Sequence, residues 1–301
     1  MRLPLFSVDD VIKRALAEDI TYLDTTTDYL IEEDERGDAY LLSKADGVLC
    51  GLEVAMRVFQ LLDLGFSSDA GRPTIFLDQN DIIIQACFTY ETCKQDGDRI
   101  EKGERIATLH GYTRVLLKGE RTALNLLQHM SGIATATAQA VALVEGTNAT
   151  IVDTRKTLPG LRSLQKYAVT VGGGRNHRYN LSDAAMLKDN HIDAAGGITS
   201  AIEKLRGKVG HMVNIEVETR NLDEVKEALE AKADIIMLDN MDCDTMRQAV
   251  ALTAGRAVLE ASGGITAATL RAVAETGVDI ISIGALTHSV QAFDISMKYG
   301  V

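Results

Sequence analysis

The 301-residue chain is 46% hydrophobic and 25% charged, which suffices to bury a sizeable core in one large or two ordinary domains. Its formal net charge of −12 and isoelectric point near 5.0 exclude a protein that binds nucleic acid by general charge attraction. The sequence contains neither the run of ~18–20 apolar residues that a membrane helix needs nor the apolar core of a signal peptide. Its four cysteines match no zinc-site spacing, so we expect reduced thiols and a cytoplasmic location.

The first part of the chain predicts a separate domain of mixed helices and strands. An amphipathic helix over 7–20, with Ser7 as its N-cap, comes first. Apolar spacing and turn residues then predict a hairpin over 36–51, a helix over 53–65, and short strands with turns over 96–111. A long helix over 119–144, with a break near Ser131 and Gly132, leads from this domain into the second part of the chain.

Apolar, strand-like runs alternate with helical stretches through the second half of the chain. The runs lie at 150–152, 184–187, 213–217, 235–238, 257–259 and 280–283. Strands that are apolar on both faces and separated by helices form a parallel sheet covered by helices. A full eight-stranded α/β barrel needs about 250 residues. Since residues 128–286 contain only 159 positions, we predict an incomplete barrel of six or seven strands.

Polar residues or glycines follow each of these apolar runs. The groups are 153–156, 188–191, Glu216 with Glu218, Asp239 with Asn240, 262–264, and Gly284 with Ala285. In a parallel α/β barrel, the carboxyl ends of the strands open into one shared mouth, where the active site lies. We therefore expect these groups to lie close together and to form the functional site.

The last two strand ends carry the residues of a phosphate site. Ser262, Gly263 and Gly264 precede one helical stretch, and Gly284 and Ala285 precede the next. Glycine lets the backbone N–H groups at the start of a helix approach an anion closely. Two ordinary tight turns are the alternative interpretation of these sequences.

Glu218 and Asp239 end adjacent predicted strands, where two carboxylates could hold Mg²⁺. Glu216 has the same strand parity as Glu218 and could also point into the barrel. The residues alone leave open which of these two glutamates contacts a metal. Solvated acids or helix caps are the alternative interpretation.

The segment from 151 to 191 is positively charged, in contrast to the chain as a whole. It contains seven Lys or Arg residues and three Asp residues, a local excess of four positive charges. Arg155 and Lys156 directly follow a strand, where cations without partners would be costly to bury. We therefore expect the site to receive an anion that carries several charges. A surface location is the alternative for Arg162, Lys166 and Arg175.

Several motifs follow one another along the chain: ERTALNLLQHMSGIAT, DTRKTLPGLRSLQKYAV, GGGRNHR, LKDNHI, IEVE, LDN and SGGI. In this order they resemble the quinolinate phosphoribosyltransferase family, most strongly from Glu120 to Ala285. The set is highly specific, whereas IEVE or LDN alone would be weak. The resemblance implies that quinolinate and phosphoribosyl pyrophosphate react, with Mg²⁺, to give nicotinate mononucleotide, pyrophosphate and CO₂.

The resemblance also implies which residues bind quinolinate. Arg155, His177, Arg178 and Lys188 would line the quinolinate pocket, and Lys156 would lie between quinolinate and the phosphoribosyl donor. Among these residues, Lys156 and Lys188 would also take part in catalysis.

The remaining implied roles concern the donor and the partner subunit. Glu218 and Asp239 would serve Mg²⁺ and the ribose during catalysis, and Arg121 would reach into the partner subunit's site. The residues implied to hold the 5′-phosphate, and so to bind the donor, are Ser262, Gly263, Gly264, Gly284 and Ala285.

The implied fold has an N-terminal α/β sandwich domain over 1–127 and an open α/β barrel of about seven strands over 128–286. Residues 287–301 would pack back on the first domain, and the working unit would be a homodimer, with a hexamer as a larger alternative. The segment 66–95 is longer than the family pattern leads us to expect. We predict that it adds a strand or loop to the first domain and leaves the catalytic motifs unchanged.

Three other functions fit parts of the pattern. A related group associated with molybdenum transport would share the fold and the TRKT motif, but not GGGRNHR and KDNH in this form. A phosphosugar aldolase or isomerase would explain the phosphate loops, but not Arg155 and Arg178 together with the carboxylate pair. A sensor of quinolinate or nicotinate nucleotides would need the pocket without Glu218 and Asp239, and both residues are present.

Overall fold

The structure is a computed structural model that describes residues 3, 7–69, 75–78, 81–84 and 87–300. The chain forms two compact units. The first comprises Met1–Thr135, Pro159–Gly172 and Val290–Val301, and the second comprises Ala136–Leu158 and Gly173–Ser289. The domain boundary predicted at 127/128 lies a little earlier, inside a helix that continues from the first unit into the second.

The N-terminal part of the chain contains four helices and seven strands among the described residues. They are α1 (Asp9–Asp19), α2 (Thr25–Leu30), β1 (Arg36–Ser43), β2 (Gly47–Val48), α3 (Leu52–Asp69), β3 (Ile75–Asp78), β4 (Asp81–Ile84), β5 (Thr89–Glu91), β6 (Arg99–Ile100), β7 (Arg105–Tyr112) and α4 (Thr113–Leu143).

Seven further helices and seven strands follow in the rest of the described chain. They are β8 (Thr150–Val152), α5 (Arg162–Val171), β9 (Ala185–Leu187), α6 (Asp189–Ala195), α7 (Ile198–Arg206), β10 (Ile215–Thr219), α8 (Leu222–Glu230), β11 (Ile235–Asp239), α9 (Cys243–Thr253), β12 (Val258–Ser262), α10 (Ala267–Ala274), β13 (Ile280–Ser282), α11 (Ala285–His288) and β14 (Ile295–Tyr299).

The first unit is built around a four-stranded antiparallel sheet in the order β14-β1-β7-β5. The predicted hairpin over 36–51 is wrong, because β1 pairs with β7 and β14, whereas β2 pairs with β6. Strand β1 has eight residues and buries Ala39, Leu41 and Ser43 on one face, so it needs long partners. The two-residue strand β2 cannot supply that pairing.

The N-cap of helix α1 lies one residue later in the chain than predicted. Val8, not Ser7, occupies the N-cap position, and its side chain makes no capping hydrogen bond. Val8 is fully buried together with Ile12, so apolar packing sets the start of the helix and the prediction for Ser7 is wrong.

Helix α4 is continuous over 31 residues, so the predicted break near Ser131 and Gly132 is wrong. Ser131 Oγ accepts a hydrogen bond from Cys50 N at 3.0 Å and donates one to Cys50 O at 3.1 Å. A Cβ atom at Gly132 would overlap the carbonyl oxygen of Gln291. The two residues therefore let other segments of the first unit approach the helix closely, and they do not interrupt it.

The long segment 66–95 contains the end of α3, the antiparallel pair β3–β4, and β5. Residues 70–74 lie outside the described residues, and so do 79–80 and 85–86. The prediction that this segment adds a strand or loop to the first domain is therefore compared only with its described part. Within the described part of the chain, no helix is long and apolar enough to cross a membrane. The four cysteines are free thiols.

The second unit contains a six-stranded parallel sheet in the order β8-β13-β12-β11-β10-β9. A single parallel bridge joins Val152 at the end of β8 to Arg175 and occupies the place of a seventh strand. The predicted α/β class, with a separate N-terminal sheet domain and an incomplete parallel barrel, is confirmed.

Strand parity separates the apolar core of the second unit from its polar face. Ile215 and Val217 of β10 and Ile236 and Leu238 of β11 are fully buried, as the helix-covered face requires. The alternate residues point to the opposite face. In register, Glu218 of β10 lies beside Met237 of β11, and Asp239 of β11 lies beside Ser262 of β12. The sheet thus gathers the polar residues of several strands.

Candidate active site

A cavity of about 600 Å³ opens at the carboxyl ends of the strands of the second unit. The residues that line it are Thr154, Arg155, Lys156, His177, Arg178, Met186, Lys188, Glu218, Met237, Asp239, Asn240, Glu260, Ser262, Gly263, Gly264 and Ser282. The structure thus brings together the ends of all six strands of the sheet. Most of the residues predicted from the strand ends line this one cavity.

Four cationic side chains line the cavity: Arg155, Lys156, Arg178 and Lys188. Arg178 is held by hydrogen bonds from its guanidinium to the carbonyl oxygen of Ala184 at 3.0 Å and to the sulfur of Met186 at 3.4 Å. Burial, and then the charge of Arg155, lower the pKa of Arg178. Because burial and the charge of Arg155 destabilise the cation of Arg178, a bound anion with several charges would stabilise it.

Lys156 is positioned through its backbone. Its N–H donates to Thr154 Oγ1 at 2.9 Å, and its carbonyl oxygen accepts from Thr287 Oγ1 at 2.9 Å. Gly284 lies beside the lysine side chain, and a Cβ atom there would stand 3.0 Å from Lys156 Cδ. Gly284 therefore leaves room for the lysine stem, and neither Gly284 nor Ala285 is among the residues that line the cavity.

The loop that carries His177 and Arg178 is anchored by Asp153, which is completely buried at the end of β8. One carboxylate oxygen accepts from Asn176 Nδ2 at 2.6 Å, and the other accepts from the backbone N–H of His177 at 2.9 Å. Asp153 therefore fixes the loop onto the strand end, in addition to the bridge at Arg175.

The hydrogen bonds of His177 define its tautomer. Its Nδ1 accepts from the N–H of Arg178 at 2.7 Å, so the hydrogen of the neutral ring is on Nε2. That nitrogen lies 3.2 Å from Glu216 Oε2 and 3.5 Å from Glu260 Oε2. The spacing of these three side chains could suit a metal ion, but an Nε2 that carries hydrogen donates to the carboxylates and cannot bind one.

Glu218 and Asp239 form the second acidic group of the site. Burial is the main cause that raises the pKa of Glu218, and the charge of Asp239 adds to it, while Lys188 acts in the opposite direction. Lys188 Nζ lies 3.8 Å from Glu218 Oε2. Two neighbouring carboxylates are a suitable oxygen donor set for a hard divalent cation. Glu216 does not line the cavity and contacts His177 instead.

The loop after β12 presents backbone to the cavity. Gly263 and Gly264 have φ angles of +93° and +59°, in the left-handed region that favours glycine. A Cβ atom at Gly263 would overlap the side-chain amide of Asn240. Asn240 itself has a φ of +53°, donates from its amide to Asp239 Oδ2 at 2.8 Å, and donates its N–H to Ser262 O at 2.9 Å. The loops after β11 and β12 are therefore held together.

One predicted site residue, Arg121, does not line the cavity. It lies on α4 in the first unit with an exposed side chain.

Two residues of the site were not predicted from the sequence. They are Glu260, which lines the cavity, and Asp153 in its anchoring role. An acid inside the apolar run VLEAS, two residues before Ser262, was the available signal for Glu260.

A parallel α/β barrel with a cationic cavity, a carboxylate pair and a glycine-rich loop at its strand ends defines an enzyme class that handles phosphorylated, multiply charged anions. The family model of the quinolinate phosphoribosyl transferase N-terminal domain matches residues 24–131, and that of the C-terminal domain matches residues 133–298. The chain therefore belongs to the quinolinate phosphoribosyltransferase family, as the sequence motifs predicted.

Individual relatives agree with this assignment. The chain is 45% identical over 280 residues to a probable nicotinate-nucleotide pyrophosphorylase (carboxylating) of Bacillus subtilis, covering 93% of this chain and 89% of that protein. The crystal structure of NadC from Streptococcus pyogenes is 41% identical with a TM-score of 0.88, covering 99% of this chain and 98% of that one. The nicotinate-nucleotide pyrophosphorylase structure from Francisella tularensis is 37% identical with a TM-score of 0.88 and the same coverage.

Proposed function

We propose that the protein transfers the phosphoribosyl group of phosphoribosyl pyrophosphate to the nitrogen of quinolinate, with loss of one carboxyl group as CO₂. The products are nicotinate mononucleotide and pyrophosphate, in the biosynthesis of NAD. The observation that carries the proposal is the cavity in which Arg155, Lys156, Arg178 and Lys188 converge, in a chain of this family. Quinolinate is a dianion, and four cations in one cavity suit two carboxylates.

The remaining part of the cavity suits the donor. We assign Glu218 and Asp239 to Mg²⁺ and the ribose, and the loop Ser262–Gly263–Gly264 to the 5′-phosphate. Gly284 and Ala285, which do not line the cavity, keep their assignment to the 5′-phosphate only from the family pattern. Mg²⁺, when bound, neutralises the charge of the departing pyrophosphate. We assign Lys156, which also lines the cavity, to a position between the two substrates, where it would neutralise charge on either one. Loss of pyrophosphate leaves an oxocarbenium-like ribose, so the protein needs mainly to position the partners and stabilise charge.

The decarboxylation follows from the first step. Once the ribose is attached, the ring nitrogen is positively charged, and the carbon next to it can hold the electron pair that CO₂ leaves behind. None of these steps requires a covalent nucleophile of the protein, and the cavity is lined instead by cations, acids and backbone.

The proposal includes a cytoplasmic homodimer, or a hexamer built from it, in which Arg121 binds quinolinate in the partner subunit's site. The exposed position of Arg121 on α4 supports this role, and the four free cysteines support a reducing compartment.

Incubation of the purified protein with quinolinate, phosphoribosyl pyrophosphate and Mg²⁺ tests the proposed reaction. We expect nicotinate mononucleotide and CO₂ in equal amounts, no turnover of nicotinate as a parallel substrate, and loss of activity when the metal is chelated. Quinolinate binding without any product would instead favour a sensor, and absence of binding would leave the family assignment valid for the fold alone.

Replacement of Gly263 by alanine tests the assignment of the phosphate loop. The added Cβ atom meets Asn240 and is strained at the φ of +93°, so the loop must shift. We expect roughly a 5- to 150-fold loss of affinity for phosphoribosyl pyrophosphate, since such strain costs ~1–3 kcal/mol and about 1.4 kcal/mol is tenfold. Calorimetric titration measures the affinity. Gly255→Ala is the matched control, because Gly255 has a φ of +76° but no neighbour within 4 Å. Equal losses in both variants would refute a specific role of the loop.

A further inference from the structure

The proposed reaction requires a proton at a defined atom. When the bond between C2 of the pyridinium ring and its carboxyl carbon breaks, CO₂ leaves without the bonding electron pair. The pair stays on C2 and must take up a proton to give nicotinate mononucleotide. A side chain that holds a proton at neutral pH, inside the cavity, would supply it faster than bulk water.

Glu260 is a buried carboxyl group that lines the same cavity as the proposed quinolinate-binding cations. It lies on β12, is 1% exposed, and lines the cavity. Its neighbour Glu216 is 2% exposed, and one carboxylate oxygen of each glutamate and a ring nitrogen of His177 lie within 4.8 Å of one another. Among the described atoms, Oε1 of both glutamates is buried without a hydrogen-bond partner. Two buried carboxylates at this distance cannot both stay ionised at low cost, which favours the protonated form of Glu260.

The surroundings of Glu260 favour its protonated form. It is faced by Glu216 from β10, His177 from the loop before β9 and Ser282 from β13. Burial first, and then the charge of Glu216, raise the pKa of Glu260 to about 7, while His177 and Ser282 act in the opposite direction. The other charged groups of the cavity are Arg155, Lys156, Arg178, Lys188, Glu218 and Asp239.

The other groups of the cavity are less suited to give up a proton. The guanidinium groups of Arg155 and Arg178 do not release protons in proteins. Both nitrogens of His177 are engaged, one by the N–H of Arg178 and the other by the glutamates. The lysines hold their protons more firmly when they bind an anion. The acids that the proposed function assigns to Mg²⁺ are ionised when they bind it.

We propose that Glu260, paired with Glu216, is the proton donor to C2 after CO₂ has left. The O–H bond of Glu260 breaks, a C–H bond forms at C2, and the Glu260 carboxylate recovers a proton from water before the next turnover. The inference deepens the proposed function and rests on it.

Substitution of Glu260 by glutamine removes the acidic proton but preserves the size of the side chain. We expect about a hundredfold lower rate of nicotinate mononucleotide formation, because general acids contribute typically 10²–10⁴-fold. In the wild-type enzyme the rate should fall as pH rises through the pKa of Glu260, since only the acid form donates. This fall in rate at high pH, the alkaline limb of the pH profile, should be absent in E260Q. It should be present in Glu260→Asp, which restores an acid.

The hydrogen isotope at C2 of the product identifies the donor directly. In an equal mixture of H₂O and D₂O, the ratio of hydrogen to deuterium at C2, measured by NMR, depends on the group that delivers the proton. We expect E260Q to give a different ratio from the wild type, since water must then protonate C2. Glu216→Gln is the matched control in the same cluster. It should keep the wild-type ratio but move the alkaline limb to lower pH, because one neighbouring negative charge is lost.

A wild-type rate and alkaline limb in E260Q, or an unchanged isotope ratio, would overturn the inference. If E260Q does not fold, as judged by circular dichroism, an unmoved alkaline limb in E216Q overturns it in the same way. Failure of the wild type to form product from quinolinate would instead refute the proposed function, so the two failures are distinguishable.

Discussion

Substitution of Arg155 by alanine is expected to lower the affinity for quinolinate at least ~100-fold while the protein remains folded. Arg155 lines the cavity beside Arg178, and a forked guanidinium can donate two hydrogen bonds to one carboxylate. Each hydrogen bond to a charged group contributes roughly 1.5–3 kcal/mol, and about 1.4 kcal/mol corresponds to a tenfold change in affinity. The free energy of unfolding should not decrease, because removing Arg155 also removes its electrostatic repulsion of Arg178. Calorimetric titration with quinolinate measures the change.

Arg175→Ala is the matched control for this experiment. Arg175 belongs to the same positive segment, but its side chain is exposed and does not line the cavity, and its bridge to Val152 uses only the backbone. We expect its affinity for quinolinate to stay within about twofold of the wild type, since exposed charges contribute little. Normal quinolinate binding in Arg155→Ala would refute the carboxylate-receptor role of the cavity.

Substitution of Asp153 by alanine should both destabilise the protein and abolish substrate binding. The change leaves Asn176 Nδ2 and the backbone N–H of His177 without the carboxylate to which they donate at 2.6 and 2.9 Å. A hydrogen bond to a charged group contributes about 1.5–3 kcal/mol, and water can replace part of each bond because Asn176 is exposed and His177 is half-buried. We therefore expect a loss of ~2–4 kcal/mol in the free energy of unfolding. Urea denaturation followed by circular dichroism measures the stability, and calorimetry measures quinolinate binding by the folded fraction.

A surface aspartate provides the control for Asp153. Asp223 has a side chain that is 94% exposed and an ion pair with Lys226 at 3.4 Å. Its substitution by alanine should change the free energy of unfolding by no more than about 0.5 kcal/mol. If Asp153→Ala were equally mild and still bound quinolinate, the anchoring role that we assign to this carboxylate would be wrong.

Local patterns were sufficient to predict the second unit. Each predicted strand run overlaps a strand of the parallel sheet, because apolar runs between amphipathic helices are local signals. The strand-end residues came together because parallel strands bring their carboxyl ends to one edge. The same rule of alternation would have identified Glu260, since it shares the parity of Ser262.

The errors of prediction involve contacts that are distant in sequence. Strand β1 pairs with β7 and β14, and nothing near 36–51 in the sequence indicates either pairing. Ser131 and Gly132 suggested a broken helix, but they serve the close approach of Cys50 and Gln291. The start of α1 depends on the burial of Val8. In each case tertiary packing overrides a local preference.

The pairing of β1 with β14 also bears on how the chain is made. Strand β14, one of the two partners of β1, is synthesised about 250 residues after it. At 5–20 residues per second, that interval lasts roughly 13–50 s. During this time one edge of β1 presents backbone groups that could pair with another nascent chain. The first sheet is therefore completed only after the whole second unit has been synthesised, and its folding should depend on chaperones more than that of the second unit.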